Sequence, residues 1–333
     1  MSKAVVFVVN DVRELGLKQS TTYLIARVLE RGRVVHLVES GTVYQDEHDR
    51  VMASGCWTVR GEELERCDVP ALVAYLKGSP VDEEPVELTS TQAIELVLVR
   101  TNPARDARGW AHQNVLTFLE MVRDRGVRVV NDPTGLKRAS TKFYLQEFAP
   151  LVRPRTMIAR DAGALRGFIE RMQGPCVLKP LRGTHGRDVF RVAGPGAENL
   201  TQILEIMTRS DYVIAQEFVP EAGAGDVRLL VVDGELFERE GKVGAVHRVP
   251  GVSDFRSNLG AGGTAKKAVI TEKMREVVGH MGDVLRRDGI FFAGVDFIGS
   301  KVVEVNVFSP GGLTDAERFE GVDFTGALLD ALL

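Results

Sequence analysis

The sequence has few cysteines and no long run of apolar residues. Its three cysteines, Cys56, Cys67 and Cys176, are odd in number and show no CxxC spacing. This argues against a disulfide framework or a zinc site and fits a reducing cytoplasm. The first apolar run, AVVFVVN, is much shorter than the roughly 18 residues of a membrane-spanning helix, and Asp11 follows it at once. We therefore expect a cytoplasmic protein that does not enter the membrane.

An excess of basic charge is also missing. The formal net charge is -4 over 333 residues, and acidic and basic residues are interspersed, so nucleic acid is not an expected partner. No GxGxxG motif follows the first predicted strand, which disfavours a dinucleotide site there. What remains is a hydrophobic content of 44% and a charged content of 26%. These values are typical of an ordinary globular protein, and 333 residues are enough for two or three subdomains.

The first 130 residues have the pattern of an open α/β domain. A strand at 4–9, a helix at 20–31 and a strand at 34–38 form a βαβ unit, and a strand, helix and strand follow at 94–99, 110–125 and 127–130. The second half has an α+β pattern that becomes antiparallel from Asp226 onward. Asp233-Gly234 predicts the turn of a first hairpin there, because these residues tolerate the positive φ of a tight turn.

A second hairpin is predicted near the end of the chain, where VVEVNVFSPGG carries polar side chains in an apolar strand. Alternation puts Glu304 and Asn306 on one face together with Val302, and three other valines on the opposite face. A three-residue turn at 299–301 would place Asp296 opposite Glu304. A two-residue turn would put Asp296 on the wrong side of the sheet.

If they converge, these three oxygen-bearing side chains suit magnesium, because no sulfur or imidazole is among them. Mg2+ readily binds through a few carboxylates and substrate phosphates, so such a cluster indicates a nucleoside triphosphate site. The alternative is a solvent-exposed polar face of an edge hairpin. Support for the metal comes from Lys179, which ends an apolar strand before a loop with Gly183 and Gly186. The backbone N–H groups of that loop could approach phosphate oxygens.

The order of these segments resembles that of the ATP-grasp ligases, and most closely the bacterial glutathione synthetase branch. The resemblance covers most of the chain and rests on several motifs in sequence order. They are Lys142, VLKP at 177–180, AQEFVP at 215–220, GDVRLLVVDGELF at 225–237, FRSNLGAGG at 255–263, GVDFIG at 294–299 and EVNVFSPGG at 304–312. It implies an N-terminal α/β domain at 1–132, a lid subdomain at 133–215 and a C-terminal domain at 216–333, with ATP between the last two.

The resemblance also implies a role for individual residues. Those expected to bind ATP are Lys142, Lys179, Gly183, Gly186, Gln216, Glu217, Phe218, Val219 and Asp226. The expected metal ligands are Asp296, Glu304 and Asn306, holding Mg2+ or alternatively Mn2+. Arg228 would lie near the transferred phosphoryl group, and Arg256 and Asn258 precede a glycine loop that could close over the acyl substrate.

The implied reaction transfers the γ-phosphoryl group of ATP to a carboxylate, and an amine then attacks the acyl phosphate to form an amide. For a glutathione synthetase the acid is γ-glutamylcysteine and the amine is glycine. The residues expected at the peptide are Lys18, Gln19, Ser20, Arg100 and Asn102, and those expected around the amine are Ser309, Gly311 and Gly312.

Two departures from the family pattern leave the substrates open. Asn102 stands where an acidic residue is usual, and Ser309-Pro310-Gly311-Gly312 replaces a Ser-Pro-Thr pattern. One alternative is therefore an ATP-grasp ligase that joins a different acid and amine, and the other is a non-catalytic nucleotide-binding relative. The expected partners are small-molecule substrates and other copies of the chain in a homo-oligomer, without nucleic acid or membrane.

Overall fold

The computed structural model describes residues 3–106, 108–181, 188–251 and 263–333. Three larger sheets of five, four and six strands follow one another along the chain, so the mixed α/β architecture expected from the sequence is confirmed. Within these described ranges, no helix combines the length and the apolar character needed to cross a membrane.

The five-stranded sheet has the order β5-β2-β1-β7-β8 and is parallel except for β5. Helix α3 packs on one face of this sheet, and α1 and α2 pack on the other. A small antiparallel sheet of β3, β4 and β6 lies beside it. The elements of this region are β1 (Ala4–Val9), α1 (Ser20–Glu30), β2 (Val35–Glu39), β3 (Val43–Gln45), β4 (Val51–Ala53), β5 (Trp57–Val59), α2 (Val69–Gly78), β6 (Val86–Glu87), β7 (Ile94–Val99), α3 (Gly109–Asp124) and β8 (Arg128–Val130).

The four-stranded sheet, which we call the lid sheet, is antiparallel and has the order β11-β10-β12-β9. Two helices cover one of its faces, where Leu165, Leu178 and Leu204 share an apolar cluster. The segment before it contains a 310 helix at Lys142–Glu147. The elements are α4 (Pro133–Arg138), β9 (Thr156–Ala159), α5 (Ala162–Met172), β10 (Cys176–Pro180), β11 (Phe190–Val192), α6 (Leu200–Ser210) and β12 (Val213–Glu217).

The six-stranded sheet, which we call the third sheet, follows the order β18-β17-β13-β19-β20, and β14 pairs with β13. Its apolar face, which includes Leu229 and Val295, shares a core with helix α7. Strands β15 and β16 of this region form a separate two-stranded sheet. The elements of the region are β13 (Asp226–Val232), β14 (Glu235–Leu236), β15 (Glu238–Arg239), β16 (Lys242–Val243), β17 (Ala245–Val249), β18 (Thr264–Lys266), α7 (Glu272–Arg287), β19 (Phe292–Ile298), β20 (Lys301–Asn306), α8 (Leu313–Glu320) and α9 (Phe324–Leu332).

The first predicted hairpin is confirmed. Val232 pairs with Glu235, and Asp233 and Gly234 between them have φ values of 50° and 75°. Both values are positive, as a two-residue type I′ turn requires. A side chain at Gly234 would also collide with the backbone of Gly282 at 2.7 Å, so helix α7 passes too close for any larger residue.

The second predicted hairpin is present, but the three-residue turn at 299–301 is wrong. The pairing of Asp296 with Glu304 that this turn predicted is nevertheless observed. Ile298 pairs with Lys301, so the turn has two residues and not three. The register then shifts by one, because Val303 forms a bulge, and Asp296 still lies opposite Glu304. The prediction that Val302 shares a face with Glu304 and Asn306 is also wrong. Because of the bulge, Val302 pairs with Phe297 and is fully buried in the core.

Candidate functional site

The three sheets meet around a cleft with a volume of about 500 Å3. The parallel strands of the first sheet point their carboxyl ends at it, which is where open α/β sheets bind ligands. The lid sheet and the third sheet form the other walls. Residues that the sequence predicts to be functional and that line this cleft are Lys18, Gln19, Ser20, Arg100, Asn102, Lys142, Lys179, Gln216, Glu217, Phe218, Val219, Asp226, Arg228, Glu304, Asn306, Ser309, Gly311 and Gly312.

Five predicted residues are not in that lining. Asp296 lies beneath the surface of the cleft, with only 2% of its area exposed. Gly183, Gly186, Arg256 and Asn258 lie outside the described residues. Their expected roles therefore stay predictions.

One face of the third sheet carries a buried network of two arginines and two aspartates, which we call the arginine–aspartate network. Arg228 Nε and Nη2 donate to the two oxygens of Asp296 at 2.7 and 2.8 Å. Arg248 Nε donates to Asp226 Oδ1 at 2.6 Å, and its Nη2 lies 2.8 Å from Asp296 Oδ2. Burial by itself would raise the pKa of Asp296, but the two guanidinium groups outweigh it and hold that pKa well below its usual value.

Arg248 was not predicted from the sequence. It lies on β17 directly opposite Asp226 on β13, and residues opposite one another in an antiparallel pair point to the same face. The two valines of AVHRV at 245–249 favour a strand, but its apolar residues do not alternate regularly, so the sequence gives only a weak signal for this strand. The partner of Asp226 depends on the register between β13 and β17, and alternation does not specify that register.

Asp296, Glu304 and Asn306 share this polar face, as their pairing across β19 and β20 requires. Asn306 Nδ2 donates to Asp296 Oδ2 at 3.0 Å, so the Asp296 carboxylate accepts hydrogen bonds from three side chains. The set amounts to two carboxylates and one amide, and no trio of Asp, Glu, His or Cys suited to a metal occurs among the described residues. Such oxygen donors fit a hard divalent cation that takes its other ligands from phosphate and water.

Two lysines, which we call the lysine pair, face Glu304 from the other side of the cleft. Lys179 Nζ donates to Gln216 Oε1 at 3.0 Å and to the carbonyl of Val303 at 3.4 Å. Lys142 Nζ donates to the carbonyl of Pro180 at 3.3 Å. Burial lowers the pKa of Lys179 to about 8, the charge of Glu304 raises it and that of Lys142 lowers it further. Burial also lowers the pKa of Lys142, against the charge of Glu304.

The strand end at 216–219 forms a further wall of the cleft. The backbone N–H of Glu217 donates to the carbonyl of Arg155 at 2.9 Å, and its carboxylate lies 3.3 Å from the Arg155 guanidinium. Arg191 stacks over the Phe218 ring, 4.2 Å from its centroid. A ligand contact through the backbone of Glu217 would therefore use its carbonyl, because the N–H group already has an acceptor.

At the opposite end of the cleft, hydrogen bonds join the N-terminal domain to the loop after β20. Arg100 Nη2 donates to Ser20 Oγ at 2.8 Å, and that hydroxyl donates to the carbonyl of Pro310 at 3.1 Å. Ser309 Oγ donates to the carbonyl of Arg100 at 2.5 Å. Burial lowers the pKa of Arg100 to about 10, so its guanidinium stays charged at neutral pH. The loop thus belongs to the wall that carries the residues expected to bind an acid substrate.

Sequence comparison agrees with this geometry. The chain matches the ATP-grasp domain of prokaryotic glutathione synthetase over residues 141–321 and the N-terminal domain of the same family over residues 4–137. It is 32% identical to a glutathione synthetase of Xanthomonas campestris pv. campestris, with 100% of this chain and 98% of that protein covered. It is 34% identical to a glutathione synthetase of Brucella melitensis over 84% of each chain.

Solved structures show the same fold. The D-cycloserine synthetase DcsG superposes with a TM-score of 0.63 at 17% identity, with 99% of this chain and 100% of that chain covered. D-alanyl-alanine synthetase A from Vibrio cholerae superposes with a TM-score of 0.57 at 12% identity, with 100% and 98% covered. At these identities the likeness concerns the fold alone.

Proposed function

Because this chain belongs to the prokaryotic glutathione synthetase family and is an ATP-dependent ligase, we propose that it joins γ-glutamylcysteine to glycine. ATP is consumed, and glutathione, ADP and phosphate are formed. The observation that best supports these substrates is that one cleft is lined both by the lysine pair with Glu304 and by the residues expected at the peptide. The anionic nucleotide, held by the lysine pair, and the acid, held by the peptide residues, would then meet in this cleft.

The family uses ATP together with a divalent cation, and we propose Mg2+, with Mn2+ as the alternative. Glu304 and Asn306 line the cleft and would bind the cation directly. Asp296 would contribute a carboxylate lone pair that is not used by Arg228 or Arg248. When bound, the cation would offset the negative charge of the phosphate groups.

We propose that the remaining residues hold charge and position without forming a covalent intermediate. The lysine pair and Arg228 would balance the charge on the phosphoryl group while it moves from ADP to a carboxylate oxygen of the acid. The amine nitrogen then bonds to the acyl carbon, phosphate leaves, and the amine loses a proton. Asp226 would contact the nucleotide, and the 216–219 strand end would contact the adenine.

A second candidate is a ligase of the same class with a different acid or amine. It is favoured by Asn102, which lines the cleft with a neutral side chain where an acidic residue is usual in the family. The backbone N–H of Asn102 donates to Asn10 Oδ1 at 2.7 Å. The small residues Gly311 and Gly312 line the same cleft.

We also propose a cytoplasmic location, because ATP and reduced thiols are found in the cytoplasm. A homo-oligomer is a further part of the proposal.

Release of phosphate from ATP tests these alternatives. We expect release with γ-glutamylcysteine, glycine and Mg2+ together, and glutathione should be the product by mass. Release only with other pairs of acid and amine would favour the second candidate. No release with a broad panel, although ATP binds, would indicate a nucleotide-binding relative without catalytic activity.

A further inference from the structure

Three polar residues on neighbouring strands of the lid sheet form a chain of hydrogen bonds that ends at Lys179. Lys179 lies on β10, Gln216 on β12 and Thr156 on β9, and β12 is the middle strand of the three. Thr156 is directly opposite Gln216, and Lys179 is opposite Ile214, two residues before Gln216. Residues opposite one another, or two apart on a strand, share a face. All three side chains therefore lie on the face opposite to Leu178, which packs with helices α5 and α6.

The chemistry of these groups fixes the direction of each hydrogen bond. Lys179 Nζ lies 3.0 Å from Gln216 Oε1, and an ammonium group can only donate. The amide oxygen of Gln216 must therefore face Lys179, and its Nε2 donates to Thr156 Oγ1 at 3.0 Å. The Thr156 hydroxyl in turn donates to the carbonyl of Pro154 at 2.9 Å. Thr156 thus sets the orientation of the Gln216 amide, because a flipped amide would turn its N–H groups toward the ammonium group.

Only part of this chain of hydrogen bonds lies in the cleft. Lys179 and Gln216 line the cleft, whereas Thr156 is not among the described residues that line it. Only 4% of the surface of Gln216 is exposed, and a buried amide that loses a partner is costly, so the amide keeps this orientation. The stem of a lysine is otherwise flexible. Holding its ammonium group in place before a ligand arrives removes part of the ordering cost of binding.

We propose that Thr156 and Gln216 are positioning residues, which hold the Lys179 ammonium group in place for the ATP phosphates before the nucleotide binds. The inference rests on the proposed contact of Lys179 with ATP, and the identity of the acid and the amine does not enter it. The carbonyl of Val303, 3.4 Å from Lys179 Nζ, is a second acceptor that belongs to the third sheet. The side chain of Gln216 then acts on ATP through Lys179, and Thr156 acts through both.

The test compares Thr156→Val, which keeps the shape of threonine without its hydroxyl, with Thr156→Ser, which keeps the hydroxyl. Affinity for the ATP analogue AMPPNP with Mg2+, measured by isothermal titration calorimetry, requires neither acid nor amine. We expect Thr156→Val to weaken this affinity about fivefold, in the range of one neutral hydrogen bond. Thr156→Ser should stay within about twofold of the wild type. Thr208→Val is the matched control, because the Thr208 hydroxyl donates to the carbonyl of Leu204 within α6 at 2.7 Å.

A second comparison separates positioning from a structural role of the hydroxyl. In a Lys179→Met background, Thr156→Val should change the affinity for AMPPNP less than about twofold, because the group that it positions is gone. Gln216→Met, which breaks the chain of hydrogen bonds at its centre, should weaken binding at least as much as Thr156→Val. Adding Thr156→Val to Gln216→Met should then have no further effect.

Three results would overturn the inference. They are an unaltered affinity in Thr156→Val, an equal loss in Thr156→Ser, and the same fivefold loss in the Lys179→Met background. If Lys179→Met by itself leaves the affinity for AMPPNP unchanged, the proposed role of Lys179 fails and the inference fails with it. If instead the chain joins another acid and amine, the proposed substrates fail, but these binding measurements still decide the roles of Thr156 and Gln216.

Discussion

The arginine–aspartate network and the lysine pair lie on opposite walls of one cleft and treat charge in opposite ways. In the network, two guanidinium groups face two carboxylates at hydrogen-bond distance, so its charges are balanced within the protein. In the lysine pair, the charge of Glu304 acts on both ammonium groups, and burial lowers the pKa of both lysines. The charges of the first wall are therefore paired within the protein, whereas burial disfavours the charged form of both lysines in the second wall.

The largest expected effect concerns the network. Arg248→Met should lower the free energy of unfolding by about 3–5 kcal/mol, because it removes a buried guanidinium group that faces both Asp226 and Asp296. Equilibrium unfolding in urea measures this change. Arg275→Met, which removes an exposed ion pair with Glu238, is the control and should cost less than about 1 kcal/mol. If the two variants lowered the free energy of unfolding equally, the buried network would contribute no more to stability than an exposed ion pair.

The lysine pair should respond in the opposite sense. Lys179→Met should leave the free energy of unfolding of the ligand-free protein unchanged or slightly higher, because it removes a charge that burial disfavours. The KM for ATP should rise about ten- to a hundredfold, the range for a lost charged hydrogen bond. Lys77→Met, at an exposed position of α2, is the control. A large loss of stability without an effect on ATP would remove the contrast between the two walls.

The same lysine predicts a pH dependence of stability. Its pKa in the folded protein is about 8, below its ordinary value of 10.5. Between these two values the unfolded chain holds a proton that the folded protein has lost, so stability rises with pH there. The free energy of unfolding of the wild type relative to Lys179→Met should therefore increase from pH 8 to pH 10.5. Below pH 8 the difference should be constant, and a constant difference throughout would contradict the assignment.

The smallest effect is expected at the edge of the cleft. Arg155 pairs with Glu217 at 3.3 Å, and 62% of the arginine side chain is exposed. Arg155→Ala should change the KM for ATP less than about threefold, because exposed ion pairs contribute little. Steady-state kinetics of Arg155→Ala and Lys179→Met would compare their effects on the KM for ATP. A larger effect for Arg155→Ala would mean that Glu217 must be held in place for adenine to bind.

Much of the site could be predicted because its motifs are short and local. Lys179 at the end of a strand, the Asp233-Gly234 turn and the polar alternation of Glu304 and Asn306 each depend on neighbours in sequence, and the structure has all three. The bulge at Val303 could not be predicted in the same way. It follows from the two-residue turn together with the burial of Val302 against Phe297, and burial is not encoded in alternation alone.

Sequence patterns alone were enough to predict the strands and helices at 4–38 and 94–130, the residue types at the end of β20, and the family. Which charges balance one another depends on tertiary contacts, since strand register brings Arg248 to Asp226 and Asp296. The tertiary structure also decided that Ser309 bonds to Arg100, 209 residues away, and that His112 lies buried without a partner among the described residues. Periodicity is a property of neighbouring residues, whereas burial, pKa and contact across a cleft depend on segments that only folding brings together.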